Sequence, residues 1–305
     1  MRKSEDLNFL IVLIVGISLF FLTLSFKAED NGESGSAPGF IKNFPEMVLD
    51  ARAAYVYDVR TKEVLFAKNS ETRMPLASLT KLMAALVAKE ITPEYGTIVV
   101  GQEAIRAEGD SGLKPSERWT LKDLLDFSLV SSSNDGMRAI ALSLGGLSIS
   151  DARPEEVIND FVRKMNEEAL RLDLKNTYFW NETGLDESEV KGGAYGTAKD
   201  VTRLMEYIVT THPELLEATR SREVEISSLD GFKHVAKNTN DLVPWIPGFL
   251  GSKTGYTATA GGNLTLAFDP ELGRPIIVTV MGSSEQGRFE DAKKLINATL
   301  EYINQ

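Results

Sequence analysis

Apolar positions recur along this chain with two periods. Residues 51–58 and 63–67 are short apolar-rich runs around Val59, Arg60, Thr61 and Lys62, which predicts an antiparallel hairpin. Leu79, Leu82, Met83, Leu86 and Val87 then follow the i, i+3, i+4, i+7, i+8 spacing of a packed helix. The helical period returns at Leu121, Leu124 and Leu125, at Met137, Ile140, Ala141 and Leu144, at Val157, Phe161, Val162 and Met165, and at Val201, Leu204, Met205 and Ile208. Thr120 with Asp123 and Thr197 with Asp200 read as capping pairs at two of these starts. Strands over 263–268 and 275–281 flank a turn at 269–273, and a helix over 289–303 closes the chain. Strands at both ends with helices between them predict an α+β fold. One sheet is assembled from the chain ends (about 41–92 and 222–305), a helical part (about 93–221) is inserted, and a cleft forms where they meet.

Ahead of residue 41 the pattern changes. Residues 9–26, from Phe9 to Phe26, carry no charge, and as a helix they would span about 27 Å, close to a hydrocarbon core. Arg2 and Lys3 precede them. The expectation is a transmembrane helix with a cytoplasmic N-terminus, holding an extracytoplasmic domain at the cell membrane. Bulky Phe26, three residues before a potential cleavage point after Ala28, argues against removal as a signal peptide. Residues 27–40 (KAEDNGESGSAPGF) have no apolar period and read as a flexible linker, so the folded domain is expected over 41–305.

Charge and composition narrow the chemistry. Lys plus Arg number 33 against 44 Asp plus Glu, a net charge of −11, the wrong sign for binding nucleic acid. Cysteine is absent, which excludes disulfides, thiolate zinc sites and a cysteine nucleophile. His212 and His234 are the only histidines, and His212, before Pro213, reads as a helix-terminus residue. Neither a metal nor a cofactor is expected, and a hydrolase built on this chain must find its base elsewhere.

Ser78-Leu79-Thr80-Lys81 puts a hydroxyl and an amine on adjacent turns of one helix face. Lys81 lies among Leu79, Leu82, Met83 and Ala85, so desolvation should lower its pKa and let a neutral amine take the Ser78 proton. A second Ser-x-x-Lys, Ser188 to Lys191, sits in a polar stretch without helical period and reads as loop. Ser132-Ser133-Asn134 falls between two helices, where by itself it fits simple capping by Asn134 or Asp135. Lys253-Thr254-Gly255 lies in a strand-like run over 251–257.

The order of these motifs and their local structure fit one constellation. The chain resembles the penicillin-recognising serine peptidases. The stretches MPLASLTKLM (74–83) and LVSSSND (129–135) look like those of the low-molecular-mass D-alanyl-D-alanine carboxypeptidases, with NETGLD (181–186), NTN (238–240) and Gly287-Arg288 in support. The resemblance covers about 51–303. It implies a five-stranded antiparallel sheet flanked by helices with an inserted helical subdomain, in the β-lactamase/transpeptidase-like arrangement. It also implies peptidoglycan stem peptides ending in D-Ala-D-Ala as substrates and β-lactams as covalent inhibitors. By resemblance Ser78 is the nucleophile, Lys81 the base, and Ser132 passes a proton to the departing D-Ala. Asn134 orients Lys81 and the substrate amide. Lys253 and Thr254 hold the substrate along the strand with Gly255 and Tyr256, and the N–H groups of Ser78 and Tyr256 form the oxyanion hole. Arg288 matches a carboxylate-binding arginine.

Three rival readings follow. One is a DD-endopeptidase cutting cross-links. Another is a class A-like β-lactamase, whose deacylating loop Glu155 to Asn159 superficially approaches, although that run carries a helical period. The third is a β-lactam sensor or wall-binding module without turnover.

Overall fold

A computed structural model describes residues 43–146 and 151–305. Residues 9–26 and the linker at 27–40 lie outside the described residues. Among those described, no helix is long and apolar enough to cross a membrane.

The first apolar runs form β1 (Ala53–Asp58) and β2 (Glu63–Lys68), paired antiparallel as the pattern predicts. Their turn is closed by Asp58 Oδ1, which accepts from the N–H groups of Arg60 and Thr61. Strand β3 (Met74–Pro75) leads through a 3₁₀ turn, Ala77–Leu79, into helix α1 (Thr80–Ile91). Ser78 therefore sits in the tight turn just ahead of the α-helix. The inserted part contains β4 (Thr97–Val99), β5 (Arg118–Thr120), α2 (Leu121–Val130), α3 (Asn134–Leu144), α4 (Pro154–Arg171), β6 (Tyr178–Phe179), β7 (Ala194–Gly196) and α5 (Ala198–Thr211). The chain returns through the hairpin β8 (Glu223–Ser227) and β9 (Lys233–Lys237) to β10 (Phe249–Thr257), β11 (Gly261–Phe268), β12 (Ile276–Ser283) and α6 (Gly287–Asn304).

The main sheet has the order β10-β11-β12-β1-β2, with every neighbouring pair antiparallel. Ala53 faces Met281 and Tyr57 faces Ile277, so the two chain ends are joined in the middle of the sheet. Alternation along each strand feeds two cores. Ala53 and Tyr55 of β1, Ala267 of β11, and Ile277 and Met281 of β12 face the helical part, against α1 residues such as Leu82, Met83 and Leu86. Ala54, Val56, Leu264, Leu266, Phe268, Val278 and Val280 face the other way, onto Phe289, Ala292, Leu295 and Ile296 of α6. Truncating a fully buried leucine such as Leu264 to alanine costs about 2–5 kcal/mol.

Thr120 and Thr197 cap α2 and α5 as expected, accepting from the N–H of Asp123 and Asp200. The start of α3 corrects one expectation. Its cap is Ser133, whose Oγ accepts from Gly136 N–H, and neither Asn134 nor Asp135 fills that role. Helix α6 begins at Gly287, two residues earlier than its apolar period, because Ser284 Oγ takes up the Gly287 N–H. The β8–β9 hairpin is not among the strands expected from the sequence, although Glu223 to Ser227 alternate polar and apolar; its only buried residues are Ile226 and Ala236.

Candidate active site

The turn carrying Ser78 is held from three sides. Asn263 Nδ2 donates to the carbonyls of Pro75 and Leu76 at 3.0 and 3.1 Å, while its Oδ1 accepts from Gly282 N–H. Gly184, at φ +83°, lies so close that a Cβ there would stand 1.9 Å from the Ala77 carbonyl oxygen. At Gly255 a Cβ would stand 3.0 Å from the Ser78 nitrogen, so a side chain there would push β10 and the turn apart by a few tenths of an ångström. Ala77 itself is buried at φ +48°, a conformation that costs about 1–3 kcal/mol and persists only where its surroundings enforce it.

Lys81 lies one turn beyond Ser78 and is fully buried. Its Nζ lies 2.8 Å from Ser78 Oγ, 2.7 Å from Asn134 Oδ1 and 2.9 Å from the Thr183 carbonyl. Burial pushes its pKa down to about 7, against an opposing pull from Glu182. An amine poised near neutrality, in contact with a serine hydroxyl, can accept that proton without a histidine. Asn134 is held in turn by Nδ2 donating to the Glu108 carbonyl at 2.7 Å.

A second serine and lysine pair stands beside the first. Lys253 Nζ donates to Ser132 Oγ at 2.8 Å and to the Thr254 carbonyl at 3.0 Å. Burial, reinforced by the positive charges of Lys81 and Arg288, pushes its pKa well below the ordinary lysine value. Ser132 sits at φ +61°, which turns it out of the α2 helix before α3 begins. The neighbouring hydroxyls of Thr254 and Thr239 are 2.6 Å apart.

Arg288 completes the cluster. Its Nη1 donates to the Gly255 carbonyl at 2.9 Å and its guanidinium lies over the Phe289 ring. It is 7% exposed, its Nε has no hydrogen-bond partner, and among the described residues no carboxylate pairs with it within 4 Å. A buried cation in that state is costly unless an anion joins it. Tyr256, next along the strand, is half exposed.

All nine residues singled out in the sequence thus converge on β10, the Ser78 turn, the α2–α3 junction and the start of α6. The sequence reading missed Thr183, whose carbonyl fixes Lys81, Glu182, buried nearby with Arg138 at 3.3 Å, Thr239, Glu108 and the anchor Asn263. The NETGLD and NTN stretches hinted at Glu182, Thr183 and Thr239, while no motif marked Glu108 or Asn263. The other candidates lie elsewhere. Ser188 and Lys191 form an isolated bridge in a loop, with Lys191 over the Trp180 ring. His234 is packed against Trp119 and Phe127, 2.6 Å from Glu117, and His212 ends α5. Glu155 to Asn159 wind into the first turns of α4, so the loop a β-lactamase reading needs does not form there.

The sequence matches the D-alanyl-D-alanine carboxypeptidase family over residues 41–285. It is 30% identical over 292 residues to D-alanyl-D-alanine carboxypeptidase DacF of Bacillus subtilis, covering 93% of this chain and 69% of that one. A D-alanyl-D-alanine endopeptidase of Pseudomonas aeruginosa is 28% identical over 258 residues, covering 81% and 76%. The ampicillin-bound penicillin-binding protein D2 of Listeria monocytogenes superposes with a TM-score of 0.67 at 30% identity, over 83% of this chain and 98% of that one. With the Ser78–Lys81 pair against Gly255 of β10 and the Ser132–Lys253 pair formed from the same strand, the chain belongs to the D-alanyl-D-alanine carboxypeptidase family of serine peptidases, S11.

Proposed function

We propose that the protein removes the terminal D-Ala from peptidoglycan stem peptides through an acyl-enzyme on Ser78. The observation that carries the exopeptidase reading is Arg288, a buried guanidinium without a carboxylate partner, bonded to the carbonyl of the residue that abuts Ser78. A substrate ending in a free carboxylate supplies the missing anion through paired, charge-assisted bonds.

In this mechanism Ser78 Oγ attacks the carbonyl of the penultimate D-Ala as neutral Lys81 takes its proton. The N–H groups of Ser78 and Tyr256 receive the developing oxyanion, a contribution of about 3–4 kcal/mol per donor in comparable hydrolases. Ser132, polarised by Lys253, hands a proton to the departing amine, and water then cleaves the ester. The strained amide of a β-lactam enters the same path and leaves Ser78 acylated. The test is release of D-Ala from a pentapeptide by the parent and its absence in Ser78→Ala, with benzylpenicillin labelling lost in parallel. Retained release in that variant would overturn the assignment.

The uncharged residues 9–26 behind Arg2 and Lys3 support a single-pass anchor that presents the domain to the wall. Recovery of the full chain in the membrane fraction after an alkaline wash tests it, and a soluble full chain would refute it.

A further inference from the structure

The loop between β6 and β7 brings a buried carboxyl into the surroundings of Lys81. Its turn is tied by Asn181, whose Oδ1 accepts from the Gly184 N–H at 2.7 Å and whose Nδ2 donates to the Leu185 carbonyl at 2.9 Å. Two consecutive residues of this turn press on the segment that carries the nucleophile and the base. Gly184 abuts the Ala77 carbonyl and Thr80 Oγ1, and the Thr183 carbonyl accepts from Lys81 Nζ at 2.9 Å. Glu182, just ahead of them, is fully enclosed, at 0% exposure. Its Oε1 lies 3.3 Å from Nη1 of Arg138, and its Oε2 has no hydrogen-bond partner. Arg138 stands one turn beyond Asn134 on α3. The Lys81 amine and the Glu182 carboxyl are therefore both fastened to the same helix, one through Asn134 and the other through Arg138.

The reaction creates a charge at this point. When neutral Lys81 takes the Ser78 proton, an ammonium forms on a fully buried residue. Its contacts, Ser78 Oγ, Asn134 Oδ1 and the Thr183 carbonyl, offer dipoles but no charge. A buried cation is costly unless an anion accompanies it. We propose that Glu182 is that anion, a positioning residue that supplies the counter-charge for the ammonium on Lys81, with Arg138 keeping its carboxylate charged and in place. The inference rests on the function proposed above. The Ser78 proton moves to Lys81 Nζ and no further toward the loop, so Glu182 acts on it through space. Burial holds the Glu182 carboxyl above the usual carboxylate range, with Arg138 and Lys81 pulling it back down, and the same carboxyl opposes the effect of burial on Lys81. Each charge thus favours the other. Lys253 of β10, when charged, and Glu187 of the loop oppose the pair by like-charge repulsion, while Asp135 of α3 is engaged with the Ser111 N–H.

The experiment is the pH profile of benzylpenicillin acylation in the full chain and its variants, between about pH 5 and 10. Glu182→Gln keeps the shape and removes the charge. Its midpoint should fall below the parent's by about one unit or more, and its limiting rate should drop several-fold because the ammonium is no longer compensated. Glu182→Asp keeps the charge and should hold the midpoint near the parent's. Arg138→Gln should lower the midpoint by less than Glu182→Gln does, and combining the two should lower it no further. A purely structural role has the opposite sign. A loosened loop admits water to Lys81, returns its pKa toward the ordinary lysine value and raises the midpoint. An unmoved or raised midpoint in Glu182→Gln would overturn the proposal, as would an equal fall in Glu182→Asp. Should Glu182→Gln fail to fold, Arg138→Gln decides in its place, a lowered midpoint supporting the proposal and an unmoved or raised one overturning it. A parent that is not acylated, or whose profile is flat, would instead overturn the function on which the inference rests.

Discussion

Lys81 Nζ meets Asn134 Oδ1 at 2.7 Å across 53 residues of sequence, and the contact orients both groups. Asn134 Oδ1 and the Thr183 carbonyl can only accept, so a neutral Lys81 must turn its two N–H bonds toward them. Its lone pair is then left for the Ser78 hydroxyl. Asn134 donates one N–H to the Glu108 carbonyl, and in the proposed mechanism its other N–H meets the substrate amide carbonyl.

A pH dependence follows from this arrangement. Since burial holds the Lys81 pKa at about 7, the base form is lost as pH falls through that value. The acylation rate with benzylpenicillin should therefore be level above about pH 7 and drop roughly tenfold per unit below it. Asn134→Asp places a carboxylate against the amine and favours its charged form, moving the midpoint upward by about 1–3 units. A flat profile from pH 5 to 9 in the parent would exclude Lys81 as the titrating base.

Lys81→Arg should acylate nearly as poorly as Lys81→Ala, each losing about 10²- to 10⁴-fold. A guanidinium stays protonated at any accessible pH and offers no lone pair. Near-normal labelling of the arginine variant would point to another base.

Much of this site is legible in the sequence. Ser78 and Lys81 are three residues apart across the 3₁₀ turn that leads into α1, so local geometry alone brings them together. The hairpin at Asp58, the caps at Thr120 and Thr197 and the strands flanking Asp269 are likewise set by neighbours in sequence. The Thr183 contact joins residues 102 apart, and its acceptor is a backbone carbonyl that any side chain could carry. No residue type marks such a role. Ser132 at positive φ gives no signal either, because serine rarely adopts that conformation unless its surroundings impose it.

Gly184→Ala tests the support beneath the nucleophile. The added Cβ would collide with the Ala77 carbonyl and require an unfavourable φ. Stability should fall by more than about 1 kcal/mol in denaturant unfolding. A displacement of Ser78 by about 1 Å should slow acylation roughly 10²-fold. Unchanged acylation in a destabilised variant would show that Gly184 serves the fold alone.

Deleting residues 1–40 should yield a soluble protein that still labels with penicillin, since both cores are built from residues beyond 43. An unfolded product, seen as loss of the cooperative thermal transition, would place the domain boundary further toward the N-terminus.

Arg288 separates an exopeptidase from a general hydrolase. The guanidinium is buried and already bonded to Gly255, so its removal touches both the strand and any bound carboxylate. If its main partner is the substrate, Arg288→Ala should cost about 1.5–3 kcal/mol on a D-Ala-D-Ala acid, roughly 10- to 100-fold in kcat/KM. The same peptide amidated at its C-terminus should be poor for the parent and change little on mutation, because the ion pair is absent in both. Equal losses on acid and amide would mean that Arg288 acts through its bond to Gly255, holding β10 in place rather than gripping the substrate. Arg288→Lys separates the two roles further: it keeps a charge but lacks the paired geometry, so it should recover only part of the activity on the acid.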